Sequence, residues 1–268
     1  MLTEFWHYLG VRTSGHGARQ LGYAHEAAAL LTRHRRCREA WRPHLDATRD
    51  ALLTSARRLD GKQRTALIVG GGVTHDLPVA GLLEIFERVV LLDIAFTRST
   101  RRLAKSGDGR IELCYWDATG VIESIAQTRR IPNRSSLASL QWPTLTAKAD
   151  WIASVNCWLQ LPLLPAAWLQ RHGADERELE AFARELIDAH WHWLTAWQAP
   201  ICIISEVGDR RHAADGALLD ETDYRPLLQS YSQKARRTAS WIWRVHPPGE
   251  LPGGDWEHNF VEAWEMDR

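Results

Sequence analysis

The chain has 268 residues, enough to bury a sizeable core as one large domain or as a domain with an appendage. Lysine plus arginine and aspartate plus glutamate balance at 33 each, so no global field recruits nucleic acid or an anionic membrane. A hydrophobic share of 45% with 25% charged residues is ordinary for a soluble globular protein. The four cysteines lack CxxC spacing and mostly adjoin apolar runs, which suits small buried hydrophobes in a reducing cytoplasm. The opening "MLTEFWHYLG" has no basic segment followed by an apolar run, so no signal peptide is read there.

Residues 1–64 read as a helical N-terminal segment, a candidate lid. "GARQLGYAHEAAALLTRHRRCREAW" is rich in alanine and leucine, and Pro43 is expected to end it. "HLDATRDALLTSARRL" then places Leu45, Ala51, Leu52, Ala56 and Leu59 at roughly helical spacing. This segment carries Tyr8, Arg12, His16, Arg19, Tyr23 and His25, candidates for clamping an acidic group on a substrate. For any one of them a solvated helix surface is the competing reading.

From residue 65 onward, apolar runs alternate with helical patterns. The runs are "ALIVG" (66–70), "RVVLLDI" (88–94), "IELCYWD" (111–117), "DWIASVN" (150–156) and "ICIISEV" (201–207). Continuous apolar runs without alternation suit central strands buried on both faces. Between them lie "VAGLLEIFE", "TRSTRRLAK", "GVIESIAQT" and "DERELEAFARELIDAHWHWLTAW" as helices, which together predict a doubly wound, mostly parallel α/β sheet. Trp151–Gln170 carries no charge, but its polar residues and prolines make it a buried strand plus loop rather than a membrane span. The tail departs from this rhythm: "TASWIWRV" (238–245) and "NFVEAWEM" (259–266) have no helix between them and predict an antiparallel pair at the sheet edge.

Ligands of open α/β sheets bind at the carboxyl ends of the strands, near the reversal of strand order. Those ends are Gly70-Gly71-Gly72, Asp93-Ile94, Asp117-Ala118 and Asn156. The glycines permit close backbone approach. A carboxylate about 20 residues later suits the hydroxyls of a ribose, and Asp117 lies where an adenine amino group would bind. Asp93 and Asp117 are equally candidates for helix caps. A dinucleotide fingerprint would need a third glycine where His75 stands, and the loop holds no basic residue for a pyrophosphate, so NAD is the poorer fit. His75 is a candidate ligand or base, against a loop histidine bonded to backbone; Asp76 reads as a cap for a helix beginning at Pro78. His190 and His192, two apart on a helix, face different ways and do not chelate together; no metal is expected. Trp116 and Trp158 adjoin the strand ends, and Glu206 closes the fifth strand.

The series "LIVGGG", "VVLLDI", "CYWDATG" and "ADWIASVN", closed by the antiparallel pair, resembles a class I S-adenosylmethionine-dependent methyltransferase over roughly residues 64–268. The resemblance implies a seven-stranded sheet with the last strand inserted antiparallel, and S-adenosylmethionine as cofactor. It implies that Gly70, Gly71 and Gly72 approach the methionine part, that Asp93 with Ile94 holds the ribose, and that Asp117 and Ala118 flank adenine. Asn156 would face the methyl donor. Two departures stand out: Ile68 occupies a position often acidic in this class, and "NCWL" (156–159) lacks the Asn-Pro-Pro-aromatic signature of many amino-group methyltransferases. The expected acceptor is a small molecule, met by Arg19, Tyr23, Trp158 and Gln160, with His75 and then Tyr23 as candidate bases. Two alternatives stay open: transfer or cyclisation of the aminocarboxypropyl arm, and a catalytically degenerate binding or assembly subunit.

Overall fold

The computed structural model describes residues 2–60, 63–132 and 148–267. The N-terminal part is helical: α1 (Leu2–Leu9), the short strand β1 (Arg12–Thr13), α2 (His16–Leu21), α3 (Tyr23–Arg36) and α4 (Arg38–Ala56). Gly22, at φ +102, turns the chain between α2 and α3, a left-handed conformation open to glycine. The break before α4 falls at Cys37, and Pro43 lies inside α4. Proline there forfeits one backbone hydrogen bond; the helix persists because its inner face, Trp41, Leu45, Leu52 and Ala56, is buried in the main core.

The sheet and its covering helices follow: β2 (Gln63–Val69), α5 (Val79–Ile85), β3 (Phe86–Asp93), β4 (Ala95–Phe96), α6 (Arg98–Ser106), β5 (Ile111–Tyr115), α7 (Ile122–Thr128) and β6 (Trp151–Val155). Then come α8 (Leu163–Arg171), α9 (Glu176–Thr195), β7 (Ile201–His212), β8 (Leu218–Asp223), α10 (Arg225–Ser232), β9 (Arg236–His246) and β10 (Trp256–Met266). The strand order is β5-β3-β2-β6-β7-β10-β9, with β8 paired to β7, while β1 and β4 form a separate two-stranded ribbon. β5, β3, β2, β6 and β7 run parallel. β10 lies antiparallel between β7 and β9. The last strand, β10, is thus inserted antiparallel into an otherwise mostly parallel sheet, as the resemblance implied. Strand order reverses between β2 and β6, where the crevice for a ligand opens.

The continuous apolar runs have the expected cause. Ile68, Leu91, Ala153 and Ile204 face one core cluster, while their neighbours Leu67, Val69, Val90, Leu92, Ile152 and Ile203 face another. A strand sends successive side chains to opposite faces, so burial on both sides requires every position to be apolar.

The main path has the seven strands that the resemblance implied, and the structure adds to the reading in two places. Among the described residues an eighth strand pairs off that path: β7 continues to His212 and returns through a turn at Gly216, φ +91, as β8. This hairpin is held by polar pairs such as Arg210 to Glu221, 2.9 Å, and its exposure leaves no apolar pattern to detect. Leu163–Arg171, expected as loop, is helical, because Pro162 and Pro165 fall at its N-cap and in its first turn, where proline costs little.

Candidate functional site

Each glycine at the end of β2 is constrained differently. Gly70 has φ +89, and a side chain there would overlap the Val155 carbonyl oxygen. Gly71 donates its N–H to Leu92 O at 3.2 Å and packs on Leu91. Gly72 donates to Asp93 Oδ2 at 2.7 Å, while its carbonyl accepts from Thr97 N at 3.3 Å and Thr100 Oγ1 at 2.9 Å. The other oxygen of Asp93 accepts from Ala95 N at 3.0 Å. Asp93 is therefore not the cap of α6, a role taken by Thr97, which accepts from Thr100 N. The Ile94 N–H also acts on this carboxylate, and three N–H groups leave it room for a further donor. Burial pushes the Asp93 carboxyl up to about 6 against the pull of these backbone N–H groups.

Asp117 is more fully used. Oδ1 accepts from Thr119 N at 2.9 Å and Thr119 Oγ1 at 2.6 Å, and Oδ2 accepts from Ile122 N at 2.9 Å. The N-cap of α7 is Val121, without a side-chain bond, and Asp117 satisfies the N–H of the first helical residue from five positions before it. Burial raises the Asp117 carboxyl as well.

Across the switch point, Asn156 sits at φ +47, a conformation asparagine tolerates better than most residues. Its Nδ2 donates to Asp76 Oδ2 at 3.0 Å, and its Oδ1 is buried without a partner. Asp76 does not cap α5, which starts at Val79 with no side-chain cap. Its carboxyl instead lines the cavity, pushed up to about 6 by burial. His75 stacks on His34 with ring centroids 3.8 Å apart, its carbonyl accepts from Arg49, and its Nε2 is buried and unpartnered. Burial, then His34 and Arg49, push the His75 ring down to about 4.

These positions revise the expected bases. His75 is neutral and weakly basic at pH 7. The Tyr23 phenol is raised well above its ordinary value by burial and by Asp117 and Asp93, so it keeps its proton. Burial pushes the Cys157 thiol up to about 12, which keeps it from ionising. His190, 2.9 Å from Ser154 Oγ, is wholly buried and pushed down to about 3.

One cavity of about 470 Å³ collects most of the sequence candidates: Tyr23, Gly70, Gly72, His75, Asp93, Ile94, Asp117, Ala118, Asn156 and Gln160. That volume is typical of small-molecule sites. Of the candidate clamp on the N-terminal segment only Tyr23 lines the cavity, Tyr8, Arg12, His16 and His25 being absent from its walls, and three further candidates lie elsewhere. Gly71 is turned into the protein, where an added Cβ would meet the Leu91 Cβ at 2.8 Å. Arg19 is exposed, its guanidinium 5.5 Å from the Tyr8 ring centroid. Trp158 is fully buried, donates Nε1–H to Ile187 O at 3.0 Å and stacks on Trp191. The 3-10 turn Trp158–Gln160 sends the tryptophan inward and leaves Gln160 outside, where it donates to Glu206 Oε1 at 3.1 Å. Arg19→Ala is accordingly expected to leave ligand affinity unchanged and to shift stability by less than about 1 kcal/mol, measured by thermal melting.

The cavity also includes Asp76, read as a helix cap, and residues that were not singled out for the site: Glu26, Ala27, Leu30 and Arg33 on α3, Trp41, His44 and Leu45 on α4, and Trp243 and Val245 on β9. The α3 set was legible in principle, since positions 23, 26, 27, 30 and 33 share one helical face. Among the described residues, no group of His, Cys, Asp or Glu has the geometry to hold a metal ion, and no helix is long and apolar enough to cross a membrane.

No protein-family model and no curated protein matches the chain. Among solved structures it is similar to Burkholderia thailandensis 1,6-didemethyltoxoflavin-N1-methyltransferase, with bound 1,6-didemethyltoxoflavin and S-adenosylhomocysteine: 14% identity, 90% of this chain and 87% of that one covered, TM-score 0.46. It is also similar to a putative RNA methyltransferase from Pyrococcus horikoshii (10% identity, 82% and 81% covered, TM-score 0.40). A third is an S-adenosylmethionine-dependent methyltransferase from Anabaena variabilis (11% identity, 85% and 93% covered, TM-score 0.39).

Proposed function

We propose that this chain is an S-adenosylmethionine-dependent methyltransferase acting on a small molecule. The observation that carries the reading is the set of acceptors around one cavity at the switch point: the Asp93 and Asp117 carboxylates, and the Asp76–Asn156 pair with Asn156 Oδ1 unpartnered. The donors of S-adenosylmethionine, its ribose hydroxyls, adenine amino group and ammonium, suit such a set. Asp93 would accept the ribose hydroxyls and Asp117 the adenine amino group. Asp76 would face the ammonium, supplying the carboxylate that Ile68 does not.

When bound, S-adenosylmethionine supplies an electrophilic methyl group. The chain's part is positioning and the exclusion of water, the source of most of the acceleration when two reactants are held in line. With His75 neutral and Tyr23 protonated, the site favours an acceptor atom whose lone pair is already available. The aminocarboxypropyl alternative rested on the missing acid at position 68; with Asp76 in the cavity, methyl transfer is favoured. S-adenosylhomocysteine as product supports methyl transfer, and methylthioadenosine would overturn it. Calorimetry with S-adenosylhomocysteine should give saturable one-to-one binding; its absence in folded protein would sink the assignment.

The raised carboxyls give this binding a pH signature. Asp76 and Asp93, both at about 6, must be ionised to hold cationic and hydroxyl donors, so affinity should fall as pH drops through about 6. Stability moves the opposite way. An aspartate titrates near 3.9 in the unfolded chain, so between about 6 and 4 the folded state takes up protons first, and these two groups add stability as pH falls. Asp76→Asn keeps an oxygen for Asn156 and removes the buried charge. It is expected to raise the melting temperature at pH 7.5, by an amount that vanishes near pH 4, while weakening S-adenosylhomocysteine about tenfold (roughly 1.4 kcal/mol).

A further inference from the structure

One wall of the cavity is made by Trp41, His44 and Leu45 of α4 and by Trp243 and Val245 of β9. These side chains are almost wholly withdrawn from solvent, His44 at 1% exposure and Trp243 at 7%. Ring contacts run through it: His75 stacks on His34, His34 lies 5.9 Å from Trp41, Trp41 meets Trp243 edge-on at 5.1 Å, and His44 stacks on Trp243 at 4.3 Å.

One hydrogen bond sets the polarity of this wall. Trp241 Nε1 donates to His44 Nδ1 at 3.0 Å. An indole N–H only donates, so Nδ1 is the bare nitrogen of a neutral ring, and the proton sits on Nε2. Burial pushes His44 down to about 3, which keeps that tautomer through neutral pH. His44, a residue of the cavity wall, therefore carries its one donor on Nε2–H. Trp243 Nε1–H is buried without an acceptor, a costly arrangement in a wall meant only for packing. None of the five side chains is charged, and the two charged cavity residues of α3, Glu26 and Arg33, are opposite in sign.

On the methyltransferase reading, we infer that the methyl acceptor is a planar, uncharged heteroaromatic molecule, packed against the rings of Trp41, His44 and Trp243 and presenting a hydrogen-bond acceptor to His44 Nε2–H. Ring faces and edges favour aromatic partners over aliphatic ones of equal area. A charged acceptor would leave water with no counter-ion on this wall. A carbohydrate would bring more hydroxyls than two donors satisfy.

The test is calorimetry on protein saturated with S-adenosylhomocysteine, using three probes: quinoxaline (planar, uncharged, two acceptor nitrogens), quinoxaline-2-carboxylate (planar, charged) and caprolactam (uncharged, not aromatic). Quinoxaline should bind at least tenfold more tightly than either of the others, and His44→Phe should weaken it about tenfold, with S-adenosylhomocysteine affinity as the control. If His44→Phe does not fold, Trp241→Phe, which releases the tautomer, should weaken quinoxaline several-fold. The inference is overturned if the carboxylate or caprolactam binds as well, if no probe binds, or if neither variant changes quinoxaline affinity. If S-adenosylhomocysteine fails to bind the wild-type protein, the methyltransferase reading falls by itself. Quinoxaline is then titrated into the free protein, and binding that His44→Phe weakens preserves the heteroaromatic site.

Discussion

Gly72→Ala is expected to abolish measurable S-adenosylhomocysteine binding and to lower the melting temperature. The added Cβ would overlap the Ala95 carbonyl oxygen and come within 2.7 Å of the Asp93 carboxyl group. The loop cannot easily retreat, because Gly72 is held on both sides: its N–H by Asp93 and its carbonyl by Thr97 N and Thr100 Oγ1. Relief must come from moving Asp93 or breaking those bonds. Overpacking of this kind costs about 1–3 kcal/mol, and each kcal/mol lowers the melting temperature by about 2–4 °C in a chain of this size. Binding should suffer more than stability, since the displaced group is the proposed ribose acceptor. An alanine variant that binds with wild-type affinity would remove the glycine loop from the cofactor site.

Asp93→Asn is the second large effect, and it separates two carboxylates that share a raised pKa. Both oxygens of Asp93 accept backbone N–H groups, from Gly72 and Ala95. An asparagine has a single acceptor oxygen, so its NH₂ would face one of those donors and push the loop away. The ribose hydroxyls would lose charge-assisted partners worth about 1.5–3 kcal/mol each. Together these losses should raise the dissociation constant of S-adenosylhomocysteine about 100-fold or more, read by calorimetry. At Asp76 the same substitution meets a side-chain donor, Asn156 Nδ2, which an amide oxygen satisfies. The two variants should therefore both weaken binding, Asp93→Asn far more, and only Asp76→Asn should stabilise the free protein at pH 7.5.

These contrasts mark how far local reasoning reaches. Asp93 and Asp117 present the same pattern, an acid at the end of an apolar run, and both were open to a capping role. The chain resolves them differently: Thr97 caps α6 and frees Asp93 for the glycine loop, whereas Asp117 is spent on its own turn and on the first N–H of α7. Trp116 and Trp158 likewise both follow strand ends. Trp116 lines the cavity, while the 3-10 turn at Trp158–Gln160 buries Trp158 beneath α9. Sequence distance from a strand end does not encode which way a turn aims its side chain. Arg19 and Tyr23 stand four apart in sequence, but the left-handed turn at Gly22 separates their helices. Tyr23 is sent into the cavity and Arg19 onto the Tyr8 ring.

What the sequence by itself determined is whatever depends on local pattern: the unbroken apolar runs of a sheet covered on both faces, the glycines at the end of β2, and an acid or amide at the ends of β3 and β6. These follow from side-chain alternation and backbone freedom within a few residues. The tertiary structure alone decided the inner wall of the site. Trp41 Nε1 reaches Val245 O across 204 residues of sequence, and Trp241 reaches His44 across 197. No local pattern links those positions. They meet because α4 and β9 bury their apolar faces against each other, and it is that burial, with one indole N–H, that makes His44 a neutral donor.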